Sequence, residues 1–244
     1  MKTEIICGKN AIIEVLRAGK RKCFEIYLAS GKKEKTADEM EMFAREYNIP
    51  YRLVSREEIE KISRVEKNQG IAARVEAFAF SDLKDILASS KEGNVLLILD
   101  GVLDPQNLGS LLRTAHQLGV AGVCLPKDNS APVGPATTRA ASGATEWLSI
   151  VQVTNVTSTI NLLKEKGYWI YGAEGGEEKN LFETDFKNHP IALVLGGEGK
   201  GMRRLVKESC DVLISIPMSG KLDSLNVSAA GAIIMSQVIS QRSK

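Results

Sequence analysis

Histidine and cysteine are scarce in this chain. Of 244 residues two are histidine, His116 and His189, and four are cysteine, Cys7, Cys23, Cys124 and Cys210. No two cysteines form a C-x-x-C pair, so a metal site is not expected and the thiols read as the reduced ones of a cytoplasmic protein. No apolar run approaches the ~20 residues that span a bilayer. The opening MKTEIICGKN lacks the apolar centre and cleavage pattern of a secretory signal. Internal repeats and low-complexity tracts are missing. So is a dominant charge: 32 Lys and Arg face 30 Asp and Glu, for a net +2. What is present, 43% hydrophobic and 25% charged residues, is the ordinary make-up of a soluble globular protein.

The charge is unevenly spread. Residues 1–75 hold 16 Lys and Arg against 12 Asp and Glu, a balance of +4, and the remainder holds 16 against 18, a balance of −2. The excess includes Lys20-Arg21-Lys22 and Lys32-Lys33-Glu34-Lys35, both in predicted loops. A weakly basic N-terminal module points to a polyanionic partner, and solvated charged loops account for the same excess. The module itself alternates helix and strand. GKNAIIEVLRAGK has helical apolar spacing and ends at Gly19, CFEIYLA alternates as a strand, and TADEMEMFAREYNI is helical up to Pro50. YRLV, REEIEKIS and GIAARVEAF continue as strand, helix and strand. Residues 1–78 thus read as a small α/β domain and 79–94 as a polar linker with a short helix and a Ser/Lys/Gly hinge. Over 95–244 the apolar runs lengthen. Segments 95–99, 121–125, 191–195 and 212–216 read as buried strands of a mostly parallel sheet, with helices at 105–118, 157–166 and 201–208.

In such sheets ligands collect outside the C-terminal ends of strands, and three of these ends carry unusual residues. In LDGVLDPQNLGSLLRTAHQLGV, Asp104-Pro105 is a ready helix start. Leu108, Leu111, Leu112, Ala115 and Leu118 make its apolar face, and Asn107, Ser110 and Arg113 lie opposite. A solvated polar face accounts for them; so does a site where amide and guanidinium meet phosphate. In LVLGGEGKGMRRL, Gly197, Gly199 and Gly201 alternate behind Gly196, and glycine permits close backbone approach. The spacing fits neither G-x-x-x-x-G-K-[ST] nor G-x-G-x-x-G. A plain turn explains the glycines but not Glu198 among them. In KLDSLNVSAAGAIIM, Ser224-Leu225-Asn226 runs into a helix of small residues. Helix capping alone explains that tripeptide, and a binding-site wall would use it too.

Together, DPQNLGSLLRTA, LVLGGEGKGM and ISIPMSGKLDSLNVSAAGAIIM closely resemble the three motifs of the SpoU (TrmH-like) RNA ribose 2′-O-methyltransferases of the SPOUT class, in the same order and over about 150 residues. The N-terminal module, with GKNAIIEVLRAG, resembles the L30e-like substrate-binding domain of the ribosomal-RNA members. The resemblance implies an α/β-knot fold with a deep trefoil knot, a homodimer, and S-adenosyl-L-methionine as cofactor. It implies cofactor contacts at Gly196, Gly197, Gly199, Ile216, Met218 and Leu225, largely through backbone. It implies a catalytic constellation of Asn107, Arg113, Glu198, Ser224 and Asn226, without a metal. Lys9, Arg17, Lys20, Arg21, Lys22 and Lys32 would contact RNA phosphate. Relatives often carry His-Gln-Gly where this chain has Asn68-Gln69-Gly70. The implied activity is 2′-O-methylation of a guanosine in 23S ribosomal RNA near the peptidyl-transferase centre. Alternatives are a tRNA or another rRNA nucleotide, including methylation against an antibiotic, and a non-catalytic RNA-binding protein.

Overall fold

The computed structural model describes residues 2–30, 35–65, 68–88, 94–176, 179–222 and 224–242. The chain divides into two units, Met1–Ala79 with Pro132–Trp147, and Phe80–Ala131 with Leu148–Lys244.

The first unit contains β1 (Thr3–Cys7), α1 (Lys9–Ala18), β2 (Cys23–Ala29), α2 (Lys35–Glu46), β3 (Tyr51–Val54), α3 (Arg56–Ser63) and β4 (Ile71–Glu76). Its sheet runs β1-β4-β2-β3, with β2 and β3 parallel and the other pairs antiparallel. Ile12 and Leu16 of α1 and Met40 of α2 cover Ile6, Ile26 and Ile71 on one face. Ile59 of α3 covers Tyr27 and Ala72 on the other. Local signals set the helix ends. Gly19 closes α1 with a left-handed φ of 62°, and Ser55 accepts the Glu58 N–H to start α3. β1 carries no alternation strong enough to be read from sequence, and it pairs because β4 supplies a full register from Thr3↔Glu76 to Cys7↔Ala72.

The second unit opens with α4 (Leu83–Ala88), β5 (Val95–Asp100), α5 (Pro105–Gln117) and β6 (Gly122–Pro126). The chain then gives α6 (Pro135–Ala140) and a 3₁₀ turn, Ala144–Glu146, to the first unit. It returns with β7 (Ile150–Val153), α7 (Val156–Glu165), β8 (Trp169–Ala173), β9 (Ile191–Gly196), α8 (Arg204–Glu208), β10 (Val212–Ile214) and α9 (Val227–Arg242). The sheet is wholly parallel, ordered β10-β8-β9-β5-β6-β7. β7 and β8 were not among the four expected strands, because β7 has only four residues and WIYGA breaks its apolar run with glycine. The helix expected at 201–208 starts at Arg204, since Gly201 has a φ of 64° and Arg203 is extended.

β5 is buried along its whole length, and β9 up to Leu195, which explains their unbroken apolar runs. Ile86, Ile160, Leu163 and Val206 close one face of the sheet over Leu96, Ile98 and Val194. α5 and α9 close the other. A Cβ on Gly231 of α9 would come within 2.3 Å of Leu111 and 2.9 Å of Leu195, so glycine lets α9 seat on α5 and β9. All four cysteines are free, and burial pushes the Cys124 thiol up to about 12.

Candidate active site

The C-terminal ends of β5, β8, β9 and β10 converge, and the polar loops leave from there. Asp104 starts α5 by accepting the Gln106 N–H, with Pro105 in the first turn. That start places Asn107 where its Nδ2 donates to Glu198 Oε1 at 2.8 Å. Asn226 Nδ2 donates in turn to Asn107 Oδ1 at 3.0 Å. Asn226 also caps α9, its Oδ1 accepting the Ser228 N–H at 2.9 Å. Three loops far apart in sequence are thereby joined by one chain of hydrogen bonds. Burial alone would raise the Glu198 carboxyl, but hydrogen bonds from Asn107 and from backbone N–H groups outweigh it and hold it below the ordinary carboxylate value. Glu198 is therefore an ionised acceptor that fixes its neighbours rather than a proton donor.

The glycine loop is locked by backbone contact. A Cβ on Gly197 would lie 1.9 Å from the Gly101 carbonyl oxygen, and one on Gly196 would lie 2.2 Å from the Gly201 carbonyl carbon. The far end of the loop is clamped by Asp100, whose buried carboxylate accepts the Arg203 N–H at 2.9 Å and its Nε at 2.8 Å. Sequence reasoning overlooked Asp100 and Arg203, although LDG at a strand end and the second half of GMRRL were both in view.

Beside this framework lies a recess of about 110 Å³, walled by Ile214, Ile216, Met218, Leu225 and Ile234. It adjoins a cleft of about 590 Å³ bounded by the Gly196–Gly201 loop, Ser224 and Asn226. An apolar slot next to a glycine cradle and hydrogen-bonding groups fits an adenosine carrying a polar tail. The six residues expected at the cofactor divide between these hollows: Ile216, Met218 and Leu225 in the recess, Gly196, Gly197 and Gly199 in the cleft, with Leu225 lining both. Ala173, Glu174 and Gly175 line both too, and were missed because β8 was missed.

The catalytic candidates do not all meet. Asn107, Glu198 and Asn226 form the network, and Ser224 lines the adjoining hollows. Arg113 is exposed on α5 and borders a different groove of about 670 Å³, with Phe182 and with Ile233 and Gln237 of α9.

In the first unit Lys9 pairs with Glu39, and Arg17 with Glu14 at 3.0 Å. Lys20 and Lys22 are exposed, the latter with its Nζ 5.4 Å from the centre of the Phe24 ring. Lys32 lies outside the described residues. Arg21 is a correction to the expected phosphate contacts. It is buried, donating from Nε and Nη2 to Glu146 at 2.9 and 2.6 Å and from Nη1 to Glu4 at 2.5 Å, so its guanidinium is committed inside the unit. Asn68 is likewise internal. Its Oδ1 accepts the Gly70 N–H and its Nδ2 donates to the Val65 carbonyl, both at 2.8 Å, so at this position the side chain shapes a turn.

A parallel sheet whose strand ends gather a glycine cradle, an apolar slot and an Asn–Glu–Asn network is the frame of a nucleotide-cofactor transferase. The SpoU rRNA Methylase family model matches residues 94–236, and that of the RNA 2′-O ribose methyltransferase substrate-binding domain matches residues 5–81. The chain belongs to the SpoU rRNA methylase family. It is 39% identical over 244 residues to the 23S rRNA (guanosine-2′-O-)-methyltransferase RlmB of Shewanella oneidensis, covering 99% of this chain and 98% of that one. It is 36% identical over 242 residues to the putative TrmH family tRNA/rRNA methyltransferase YacO of Bacillus subtilis, covering 98% and 96%. Among solved structures, the SpoU methyltransferase AviRb of Streptomyces viridochromogenes, in complex with AdoMet, superposes with a TM-score of 0.80 at 22% identity, covering 98% of this chain and 90% of that one.

Proposed function

We infer that the protein transfers the methyl group of S-adenosyl-L-methionine to the ribose 2′-hydroxyl of a guanosine in 23S ribosomal RNA. The observation that carries this reading is the Glu198–Asn107–Asn226 network set at the mouth of a glycine-walled adenosine slot. Full-length similarity to the RlmB enzymes supports the substrate. When bound, the cofactor supplies a methyl group already activated by its sulfonium charge. The protein's task is then alignment and proton departure. Glu198, Asn107 and Asn226 hold three loops in one geometry, and Ser224 faces the space between slot and cleft. A guanidinium stays protonated, so Arg113 acts by its charge, gripping the phosphate beside the target ribose and lowering the pKa of the hydroxyl. Residues 1–78 serve as the RNA-binding domain, with Lys9, Arg17, Lys20 and Lys22 toward phosphate.

The protein works in the cytoplasm as a homodimer, through a catalytic domain whose C-terminal segment is threaded as a trefoil knot. In support of the dimer, exposed Phe182 and half-buried Ala232 and Ile233 of α9 line one groove with Arg113. Pairing of two chains there would bring Arg113 of one against another active site or seat it at the shared boundary.

The test is methyl transfer from labelled cofactor to 23S rRNA fragments and to tRNA, with the product mapped by primer extension at low dNTP. A single 2′-O-methylguanosine in the 23S fragment is expected. Modification of tRNA alone, or of neither RNA with cofactor bound, would overturn the substrate assignment.

A further inference from the structure

Among the described residues six border both the apolar recess and the open cleft, and only two of these, Glu174 and Ser224, have polar side chains. Glu174 follows directly from β8, and its N–H is fixed to the Ile214 carbonyl at 3.0 Å, so the start of its side chain is held at the seam of the sheet. Its Oε1 lies 3.4 Å from Lys207 Nζ. Its Oε2 rests against Gly201, where a Cβ would come within 3.2 Å of it. Glycine at that position, with a φ of 64°, is what leaves the carboxylate its place. The side chain is about one-quarter exposed, and the exposed part opens on the hollows.

Resting on the methyltransferase reading, we propose that Glu174 is a cofactor ligand that accepts hydrogen bonds from the ribose hydroxyls of S-adenosyl-L-methionine. The order of parts in the ligand sets this. The adenine ring belongs in the apolar recess, the amino-acid tail in the polar cleft, and the ribose joins them. A residue that lines both hollows therefore faces the ribose. A carboxylate is an acceptor with room for several donors, so the bond to Lys207 leaves capacity for a hydroxyl pair. The same residue type meets ribose hydroxyls at the strand ends of dinucleotide-binding sheets. Lys207 orients the carboxylate, and hydrogen bonds to a carboxylate are of the strong, charge-assisted kind.

The test is calorimetric and uses the full chain with unreactive ligands. Wild type, Glu174→Ala and Glu174→Gln are titrated with S-adenosylhomocysteine, with 5′-methylthioadenosine, and with the 2′- and 3′-deoxy forms of the latter. Glu174→Ala should weaken the first two ligands alike, by about tenfold or more. Removing a ribose hydroxyl should cost wild type a similar factor and Glu174→Ala almost nothing. Glu174→Gln, which keeps one acceptor oxygen, should fall between them. Unchanged affinity in the alanine variant overturns the proposal, and so does a deoxy penalty equal in both proteins, as a purely structural Glu174–Lys207 pair would give. Weakened S-adenosylhomocysteine with unchanged 5′-methylthioadenosine also overturns it, placing the carboxylate at the amino-acid tail. If wild type binds neither ligand, the methyltransferase reading itself fails.

Discussion

Glu198 and Arg113 can be tested separately at the scale of single residues. Glu198 is an ionised hub, held below the ordinary carboxylate range by the hydrogen bonds it accepts. A carboxyl lowered in the folded state contributes stability that is complete above its unfolded value of about 4.3 and is lost as pH falls through the folded value. The difference in denaturation midpoint between wild type and Glu198→Gln should therefore hold steady near neutrality and close as pH drops below about 4. A gap that persists in acid would remove charge from the explanation. Arg113 lines the groove beside Phe182 and is not part of the lining of either cofactor hollow, so Arg113→Ala should leave S-adenosylhomocysteine affinity within about twofold while methyl transfer drops by about a hundredfold or more. A parallel loss of affinity and rate would place the guanidinium at the cofactor instead.

Elements decide which part of the site could be read in advance. The three motif loops were legible because each follows an apolar run with residues no turn requires, Glu198 above all. β8 was not legible, and Glu174 went with it. WIYGA mixes exposed Trp169 with Gly172, which is glycine because a Cβ there would meet Cys210, Leu213 and Met202 within 3 Å. That glycine is a mark of close packing from the tertiary structure, and in the sequence it reads as a break. α6 was hidden for another reason. PATTRA is too short to show a helical period, and Thr137, Thr138, Ala141 and Glu146 are buried against the first unit, which no local pattern announces. A chain starting at residue 80 strips that cover. It should keep cofactor affinity, since every described residue of the two hollows lies between Ala173 and Ile234. Limited proteolysis should cut it first within residues 132–147, where the full chain resists. Protection of that segment in the shortened chain would show that it has other cover. An unpaired Glu146 in place of a buried ion pair costs several kcal/mol on the usual scale, and its exposure relieves that cost.

For the molecule as a whole, the charge split between the ends of the chain was the weakest signal in the sequence, and it needed sorting by structure. Arg21 drops out of the free cations, while Lys20 and Lys22 remain exposed. Binding of a 23S rRNA fragment should weaken with salt, and Lys20→Ala and Lys22→Ala should each lower the slope of log K against log salt by about 0.7–1. Followed by fluorescence anisotropy, an unchanged slope in the double variant would move the RNA contact elsewhere. The class of fold was legible from the long apolar runs alone. The strand order β10-β8-β9-β5-β6-β7 was not, because sequence periodicity says which residues are buried and nothing about which strands are neighbours.

The ion pair inside the first unit also has a history in time. Arg21 and Glu146 are 125 residues apart. At about 5–20 residues per second of synthesis, roughly 6–25 s separate the two ends of that bond. For that interval the first unit lacks α6 and the 3₁₀ turn, and the stretch that precedes them belongs to the other unit. The growing chain cannot finish its first unit first. Its completion waits for residues 132–147, which are made after β5, α5 and β6 of the second.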